Sequence, residues 1–421
     1  MRFTIVTYGS QGDIRPYVAL GKGLRAAGHS VAFPADREFR GLIERHGLDY
    51  SPLSGDLRAV TGSREADGLF RDGINPIKMM RALLRLGQDH ALVWMREYWE
   101  AARGSDAVIA SGLAFYAGVA VAEKLGVPVV GTALQPMAPT RAFPPPMMPP
   151  RRFPGVVNYA LHLAMMQLVW QTFRAPTNRA RRAVLGLKPS FVGPGPLLMT
   201  AKWPMPYAFS THALPRPDDW PDFIRATGFW FLDEADGYTP PPDLAAFLDG
   251  GPPPVYVGFG SMAGFDPAET TRLVVAALNG RRAVLSAGWG GIDRSALPET
   301  VHGLESAPHD WLFPRVSAVV HHGGAGTTAA GLRAGVPAVV VPFMGDQPFW
   351  GARLHDLGVA PPPLPRRTLT ADGLAGAIEA TGDPGMRGRA AALGEVIRAE
   401  DGVGNAVRFI EEGLAHRSNV A

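Results

Sequence analysis

The sequence predicts an α/β fold with two tandem, doubly wound domains of parallel strands. Each half opens with a short apolar strand that runs into a glycine turn, at residues 3–13 and 255–264. Each half also contains a strand, a helix, the tripeptide GVP and a second strand, as in DAVIASGLAFYAGVAVAEKLGVPVVGTAL and SAVVHHGGAGTTAAGLRAGVPAVVVPF. Apolar runs that alternate with helical patterns indicate parallel strands covered on both faces. We expect a ligand-binding cleft where the strand ends of the two domains meet.

Proline-rich passages predict where the domains divide. A chain of 421 residues is too long for one ordinary core. We expect a first domain at residues 1–211 with a strand in its LLMTAKW segment near the end, a linker at 212–242, and a second domain at 243–402. Proline at the density of the linker disfavours both helix and central strand. A last helix at 403–421 is expected to pack back on the first domain.

The composition excludes several classes of protein. The chain is 46% hydrophobic and 19% charged, which is typical of globular proteins. Its net charge of +3 gives no reason to expect a nucleic-acid partner, and the absence of cysteine excludes disulfides and thiol chemistry. The apolar segment 156–170 is interrupted by polar residues and is too short for a membrane span, so it predicts a buried or cleft-lining helix without stable membrane insertion. We expect a cytoplasmic monomer or homodimer.

The stretch VVHHGGAGTTAAGLRAGVPAVVVPF, residues 319–343, predicts an anion site. A helix N-terminus exposes unpaired N–H groups and a partial positive charge, and glycine lets a ligand approach them. His322 at the end of the strand, with the hydroxyls of Thr327 and Thr328, would add donors for a phosphate or diphosphate. A tight turn with a threonine as N-cap explains the same residues equally well. His321 is expected to pack or cap.

Asp346 and Gln347 follow the next strand and should therefore lie on the same rim. A carboxylate beside an amide is suited to binding vicinal hydroxyls, although Asp346 could also cap the following helix. A phosphate site and a hydroxyl site on one rim together indicate a nucleotide sugar.

PHDWLFPRVSAVVHHGGAGTTAAGLRAGVPAVVVPFMGDQPFWGARL resembles the donor signature of the inverting family 1 glycosyltransferases of GT-B fold, and TYGSQGDIRPYVALGKGLRAAGHSV resembles their opening motif. The similarity is strongest to the sterol glucosyltransferases and the enzymes that glycosylate antibiotics. It implies a UDP- or dTDP-hexose or deoxyhexose as co-substrate, with no further cofactor. It also implies a role for each matched residue. His322, Thr327, Thr328, the amides of Gly324, Ala325 and Gly326, and Ser261 would bind the diphosphate; Asp346 and Gln347 would hold the sugar; Asp13 would be the catalytic base.

The resemblance is incomplete at the nucleobase. Ser306 stands where the plant branch has a stacking tryptophan, so the base would be held around residues 307–309, including His309, or by Trp289. Ordinary packing is an equally good explanation of Trp289 and Trp311. From local sequence alone, Asp13 is more typical of a helix N-cap than of a base. The chain contains no Asp-x-Asp pair, so we expect the reaction to need no metal.

The acceptor side is expected at the first glycine turn and in a proline-stiffened loop, residues 135–155. The residues concerned are Ser10, Gln11, Gly12, Met137, Phe143, Met147 and Met148. Methionine adapts to irregular apolar shapes, which favours a lipophilic acceptor such as a macrolide, another polyketide, a glycopeptide or a sterol. Alternatives are a nucleotide-sugar 2-epimerase and a non-catalytic helper protein that binds nucleotide sugars. A nicotinamide-dependent dehydrogenase is disfavoured because GSQGDI lacks the Gly-x-Gly-x-x-Gly spacing.

Overall fold

The first domain is a parallel sheet covered by helices. The computed structural model describes residues 1–55, 76–259, 267–286 and 297–418. Within these, the sheet has the strand order β3-β2-β1-β4-β5. Its strands are β1 (Arg2–Val6), β2 (Ser30–Ala35), β3 (Asp49–Pro52), β4 (Ala107–Ala110) and β5 (Val129–Gly131). The helices are α1 (Gln11–Ala26), α2 (Arg40–Arg45), α3 (Pro76–Ala102), α4 (Phe115–Leu125), α5 (Gly155–Ala180) and α6 (Gly195–Ala201).

The strand predicted at LLMTAKW is wrong, because this segment forms α6 and its end. Pro196 lies in the first turn of α6, where its fixed φ suits a helix and its missing N–H costs nothing. A short apolar run does not distinguish a strand from a buried helical turn. The chain pairs instead just beyond it, where β6 (Met205–Tyr207) and β7 (Ile224–Ala226) form a parallel pair. The N–H of Ala208 donates to the carbonyl of Ala133 at 2.9 Å, which ties this pair to the first sheet.

The second domain repeats the winding of the first, with strand order β10-β9-β8-β11-β12. Its strands are β8 (Val255–Gly258), β9 (Ala283–Ser286), β10 (Val301–Leu304), β11 (Ala318–His321) and β12 (Ala338–Val340). Its helices are α7 (Pro242–Asp249), α8 (Pro267–Leu278), α9 (His309–Leu312), α10 (Ala325–Ala334), α11 (Gln347–Asp356), α12 (Ala371–Ala380) and α13 (Pro384–Arg398). The predicted tandem of doubly wound α/β domains is therefore confirmed.

The two GVP motifs have the same geometry. Gly126 ends α4 with φ +71° and Gly335 ends α10 with φ +73°, a left-handed conformation that favours glycine. The proline that follows cannot continue a helix, and the chain enters β5 or β12 directly. Each motif therefore ends a helix and starts the next parallel strand.

The last helix, α14 (Gly402–Ser418), packs on the first domain. Ala406, Val407 and Ile410 belong to the same buried cluster as β1 and α1 residues. The Glu411 carboxylate lies 2.9 Å from the ring Nε2 of His29. This helix is therefore part of the hydrophobic core of the first domain.

Candidate active site

The helices that follow β1 and β11 meet at the domain boundary. Helix α1, in the first domain, packs against α10, in the second. The charge of Asp13 contributes to raising the pKa of Asp346, and the charge of Arg15 contributes to lowering the pKa of His309. The first glycine turn and the histidine-threonine turn therefore line a single cleft.

Asp13 lies in the first turn of α1 and is held by Ser10. The Ser10 N–H donates to Asp13 Oδ2 at 2.8 Å, and the Ser10 hydroxyl donates to the same oxygen at 3.1 Å. Ser10 is the N-cap and Asp13 the third helical residue, so the local prediction of Asp13 as an N-cap is wrong by three positions. Burial raises the pKa of Asp13, while the bonds from Ser10 oppose that rise. A side chain at Gly9 would overlap the Asp13 carboxylate.

A buried hydroxyl network lies close to this carboxylate. The Thr132 hydroxyl donates to the Tyr17 hydroxyl at 3.1 Å, and Tyr17 also hydrogen-bonds Ser111. Burial raises the pKa of Tyr17 far above its usual range, and the charge of Asp13 adds to that rise. Tyr17 therefore stays neutral near Asp13. Sequence reasoning missed this network because Ser111 and Thr132 follow strands β4 and β5, far from Tyr17 along the chain.

Residues 322–328 form the feature that we call the diphosphate seat. α10 begins at Ala325 after Gly324, and no side chain caps it, so its first N–H groups have no side-chain acceptor. Two more polar atoms here are buried without a partner: Nδ1 of His322 and Oγ1 of Thr328. Gly324, not a threonine, is the N-cap, which removes the simple capping explanation for the threonines. Buried unpaired polar atoms are unfavourable unless a ligand pairs with them.

Three histidines of the second domain are neutral at neutral pH. Burial lowers the pKa of His309 and of His322 to about 4, and that of His321 to about 3. His321 Nδ1 accepts the N–H of Gly323 at 3.1 Å, in line with the expected structural role. His309 stacks on Phe313 with ring centroids 4.3 Å apart. The seat therefore offers the neutral imidazole of His322 and a helix N-terminus to an anion.

Asp346 and Gln347 lie on the neighbouring turn, between β12 and α11. Asp346 occupies the N-cap position but makes no capping bond; its Oδ2 accepts the indole N–H of Trp350 at 3.0 Å. Burial is the main cause that raises the pKa of Asp346 to about 6. Gln347 Oε1 accepts the N–H groups of Phe343 and Met344 at 2.8 and 3.0 Å, which fixes the turn. Trp350 was not predicted, although its position four residues after Asp346 is the spacing of facing helical residues.

The proposed acceptor residues occupy two elements. Ser10, Gln11 and Gly12 open α1, and the last two are exposed. In the proline-rich loop, Met137 and Met148 are half-buried and Met147 is exposed. Phe143 packs against Phe349 of α11, with ring centroids 5.5 Å apart. The loop therefore reaches the second domain at the edge of the cleft.

The residues expected near the nucleobase and at the second glycine turn lie partly within the described residues. Ser261 and Trp289 lie outside the described residues. Ser306 is exposed. Trp311 packs against the Tyr238 ring, 5.2 Å away, and under the Arg315 guanidinium, 4.5 Å away. This environment is the ordinary packing that the sequence left open for Trp311.

A polar cluster joins the two domains beside the cleft. Arg15 and Arg45 of the first domain contact the Glu234 carboxylate at 2.6 and 3.3 Å. Asp310 of α9 accepts the N–H groups of Glu234 and Ala235, each at 2.8 Å. The segment around Glu234 therefore links α1 to α9, and sequence reasoning did not find it.

Two further findings apply to the described residues alone. No three His, Asp or Glu side chains are grouped so that they could hold a metal ion. None of the helices is both long enough and apolar enough to cross a bilayer.

Both halves of the sequence match known family models. Residues 3–144 match the Glycosyltransferase family 28 N-terminal domain, and residues 285–405 match the Erythromycin biosynthesis protein CIII-like C-terminal domain. The chain is 37% identical to the sterol 3-beta-glucosyltransferase of Aspergillus clavatus over 437 residues, covering all of this chain and 30% of that protein. It is 36% identical to that of Cryptococcus neoformans over 452 residues, covering 28% of it. The chain thus spans less than a third of the length of these relatives.

Solved structures share the fold across almost the whole chain. The glycotransferase of kitacinnamycin superposes with a TM-score of 0.69 at 22% identity and covers 98% of this chain and 99% of its own. The calicheamicin glycosyltransferase CalG4 has a TM-score of 0.65 at 17% identity, covering 100% and 99%. The spinosyn rhamnosyltransferase SpnG complexed with thymidine diphosphate has a TM-score of 0.64 at 18% identity, covering 98% and 100%.

Proposed function

The chain belongs to the family 1 GT-B glycosyltransferases, and we propose that it is a metal-independent inverting glycosyltransferase. Its donor would be a UDP- or dTDP-linked hexose or deoxyhexose, and its acceptor a hydroxyl of a lipophilic aglycone. One observation carries the proposal. The uncapped start of α10 has two buried unpaired polar atoms beside it, and α10 packs against α1, the helix that carries Asp13. This arrangement suits a diphosphate on one side and an attacking hydroxyl on the other.

Asp13 would act as the general base. Both of its hydrogen bonds from Ser10 go to Oδ2, so Oδ1 would accept the proton of the acceptor hydroxyl. The raised pKa of the buried carboxyl makes it a stronger base than an ordinary aspartate. The acceptor oxygen forms a bond to the anomeric carbon as the bond from that carbon to the diphosphate oxygen breaks. Attack from the face opposite the diphosphate inverts the anomeric configuration.

The diphosphate seat would stabilise the leaving group. The departing nucleoside diphosphate gains negative charge, which the N-terminus of α10 favours electrostatically. His322 and Thr328 would each pair a polar atom that is otherwise buried without a partner. Because burial keeps His322 neutral, it would serve as a hydrogen-bond donor without a positive charge. Asp346, on the adjacent turn, would bind hydroxyls of the sugar.

The acceptor class is supported by the relatives and by the loop. The curated relatives are sterol 3-beta-glucosyltransferases, and the structural neighbours include a calicheamicin glycosyltransferase and a spinosyn rhamnosyltransferase. The loop that carries Met147 and Met148 lies at the edge of the cleft, and it has only apolar side chains between residues 142 and 150. Sterol and macrolide-like aglycones are therefore the first acceptors to test. A cytoplasmic location and a monomeric or homodimeric state stay predictions.

A two-stage experiment tests the proposal. UDP- and dTDP-sugars are first screened for thermal stabilisation of the protein, and each binding donor is then incubated with sterol and macrolide aglycones in EDTA. The proposal expects a glycosylated product of inverted configuration and a stoichiometric nucleoside diphosphate. Donor binding without product would favour the helper protein, and a changed sugar in donor-only incubations would favour the 2-epimerase.

A further inference from the structure

The first half of helix α5 has its polar and apolar faces reversed. Its inward face carries Asn158 and His162, both buried. Its outward face carries Val156, Leu163 and Met166, of which the first is 65% exposed and the second 45%. These outward residues recur at helical spacing, and no Asp, Glu, Lys or Arg occurs between residues 155 and 173. An apolar outward face on a surface helix indicates a binding partner.

The segment of residues 191–199 extends the same surface. Phe191, 76% exposed, is accompanied by Val192, Leu197 and Met199, all exposed. This segment is fixed against α5 because Trp170 Nε1 donates to the Phe191 carbonyl at 3.0 Å, and Gln167 Nε2 to the Val192 carbonyl at 3.1 Å. We call the outward residues of α5 together with the exposed side chains of 191–199 the apolar face.

The apolar face lies within the most basic part of the chain. Residues 124–217 contain eleven Lys and Arg and no Asp or Glu, although the whole chain has a net charge of only +3. The remaining residues therefore carry 30 basic side chains against 38 acidic ones. Arg151, Arg152 and Lys188 are exposed in this region. Its one buried arginine, Arg181, pairs with Glu123, the acidic residue just before the region begins.

A basic cavity borders the apolar face. It has a volume of about 560 Å³ and is lined by the side chains of Arg174, Arg179 and Arg182 along α5 and its end, with Phe191 closing one side. The Arg174 guanidinium lies over the Phe191 ring, 5.1 Å from its centroid. Cationic groups that flank exposed aromatic and aliphatic side chains are the arrangement by which proteins bind anionic lipid surfaces.

We propose that the apolar face docks the protein on an anionic lipid bilayer. The side chains of Leu163 and Phe191 would enter the interface between headgroups and acyl chains, and the arginines of the cavity would bind lipid phosphates. A second copy of the chain is the less suitable occupant. A symmetric dimer through this face would bring two basic regions together, where like charges repel.

Docking would place the acceptor loop at the bilayer. Asn158 Nδ2 donates to the Arg141 carbonyl at 3.0 Å, and His162 Nε2 lies 3.1 Å from the Phe143 carbonyl, so the polar side of α5 holds that loop. Phe143 then contacts Phe349 at the edge of the cleft. A lipophilic acceptor could pass from the membrane to the cleft along this loop. This consequence rests on the proposed function, whereas the docking itself does not.

Vesicle flotation of the full chain tests the docking. The vesicles are of phosphatidylcholine with or without phosphatidylglycerol, at low and high salt. We expect binding to the anionic vesicles only, weakened by salt. The double variant Leu163→Asp/Phe191→Asp, and separately Arg179→Gln/Arg182→Gln, should each bind about tenfold more weakly or worse. All four residues are outward-facing or line an open cavity, so the variants should fold, as their unchanged melting temperatures would show.

Val396→Asp is the matched control for the apolar substitutions. Val396 is 40% exposed on α13, in the second domain, and its variant should bind vesicles as the wild type does. The proposal is overturned if the wild type fails to bind anionic vesicles at low salt, or if the control loses as much binding as the two double variants. It is also overturned if the protein is a dimer in solution that Leu163→Asp/Phe191→Asp dissociates, because a second copy then covers the face.

Discussion

Gly324→Ala should weaken donor binding by displacing His322 without unfolding the protein. A Cβ at Gly324 would overlap Nε2 of His322 and lie 3.2 and 3.3 Å from two carbons of the same ring. The ring must therefore move by roughly 1 Å, which is enough to break a hydrogen bond to a ligand. A hydrogen bond to a charged group contributes about 1.5–3 kcal/mol. We expect a 10- to 150-fold increase in the dissociation constant for the nucleoside diphosphate.

Isothermal titration calorimetry with UDP and dTDP measures this change directly and needs no acceptor. Gly331→Ala is the matched control, because it lies on the same helix and its Cβ would meet no atom within 4 Å. It should keep the affinity and gain about 0.5–1 kcal/mol of stability, since alanine favours a helix interior over glycine. An affinity for Gly324→Ala within twofold of the wild type would refute the role of His322 in the seat. An equal loss in Gly331→Ala would show that the helix as a whole, and not His322, was disturbed.

Four further variants test the site. Asp13→Asn should keep donor affinity and lose about 10²- to 10⁴-fold in turnover, because the amide can still accept hydrogen bonds from Ser10 but cannot take a proton. Turnover is measured as the release of nucleoside diphosphate in the presence of acceptor. Normal turnover would remove Asp13 from the chemistry. Gly9→Ala should push the Asp13 carboxylate aside and lose at least tenfold in turnover. Gly41→Ala in α2 of the same domain, whose Cβ would meet no atom within 4 Å, should keep normal turnover. Thr328→Val should bind the diphosphate about tenfold more weakly, because it removes a hydroxyl of the seat. Its free energy of unfolding in urea should stay equal or rise, because the buried hydroxyl that it removes has no partner. A large loss of stability would indicate a structural role. The pKa of Asp346 is raised from 3.8 to about 6, so the folded state binds the carboxyl proton more tightly than the unfolded state does. The protonated carboxyl therefore contributes fully to stability below pH 4, and this contribution is lost as the pH rises to 6. Asp346→Asn should abolish up to about 3 kcal/mol of that dependence in urea unfolding between pH 4 and 7, and an unchanged profile would contradict the buried, protonated carboxyl.

The fold could be predicted because its evidence is local. Each predicted element is a short segment whose conformation depends mainly on its own residues. Examples are the apolar runs of β1, β4, β8 and β11 and the two GVP motifs. The same method failed at α6, where a short apolar run fits two structures and neighbouring prolines decide between them. The prediction was right where the hydrophobic period and the turn residues indicated the same element.

The candidate site was predictable only in part. Sequence pattern indicated His322 and Asp346 as polar residues that follow strands, and the family resemblance implied Asp13. It did not indicate that Ser10 would cap α1 in place of Asp13, or that Trp350 would hold Asp346. Those partners are identified by side-chain geometry, which residue types alone do not determine.

By itself, the sequence determined two parallel-sheet domains and the rim on which polar residues collect, because strand and helix periodicity and glycine turns are properties of neighbouring residues. Only the tertiary structure decided which atoms are buried without partners and which face of α5 points outward. It also decided that Glu234 joins Arg15 of α1 to the Asp310 carboxylate of α9. Burial and pairing depend on residues that are distant along the chain. The pKa of Asp346 and the neutrality of His322 follow from that burial, so they could be known only after the domains were brought together.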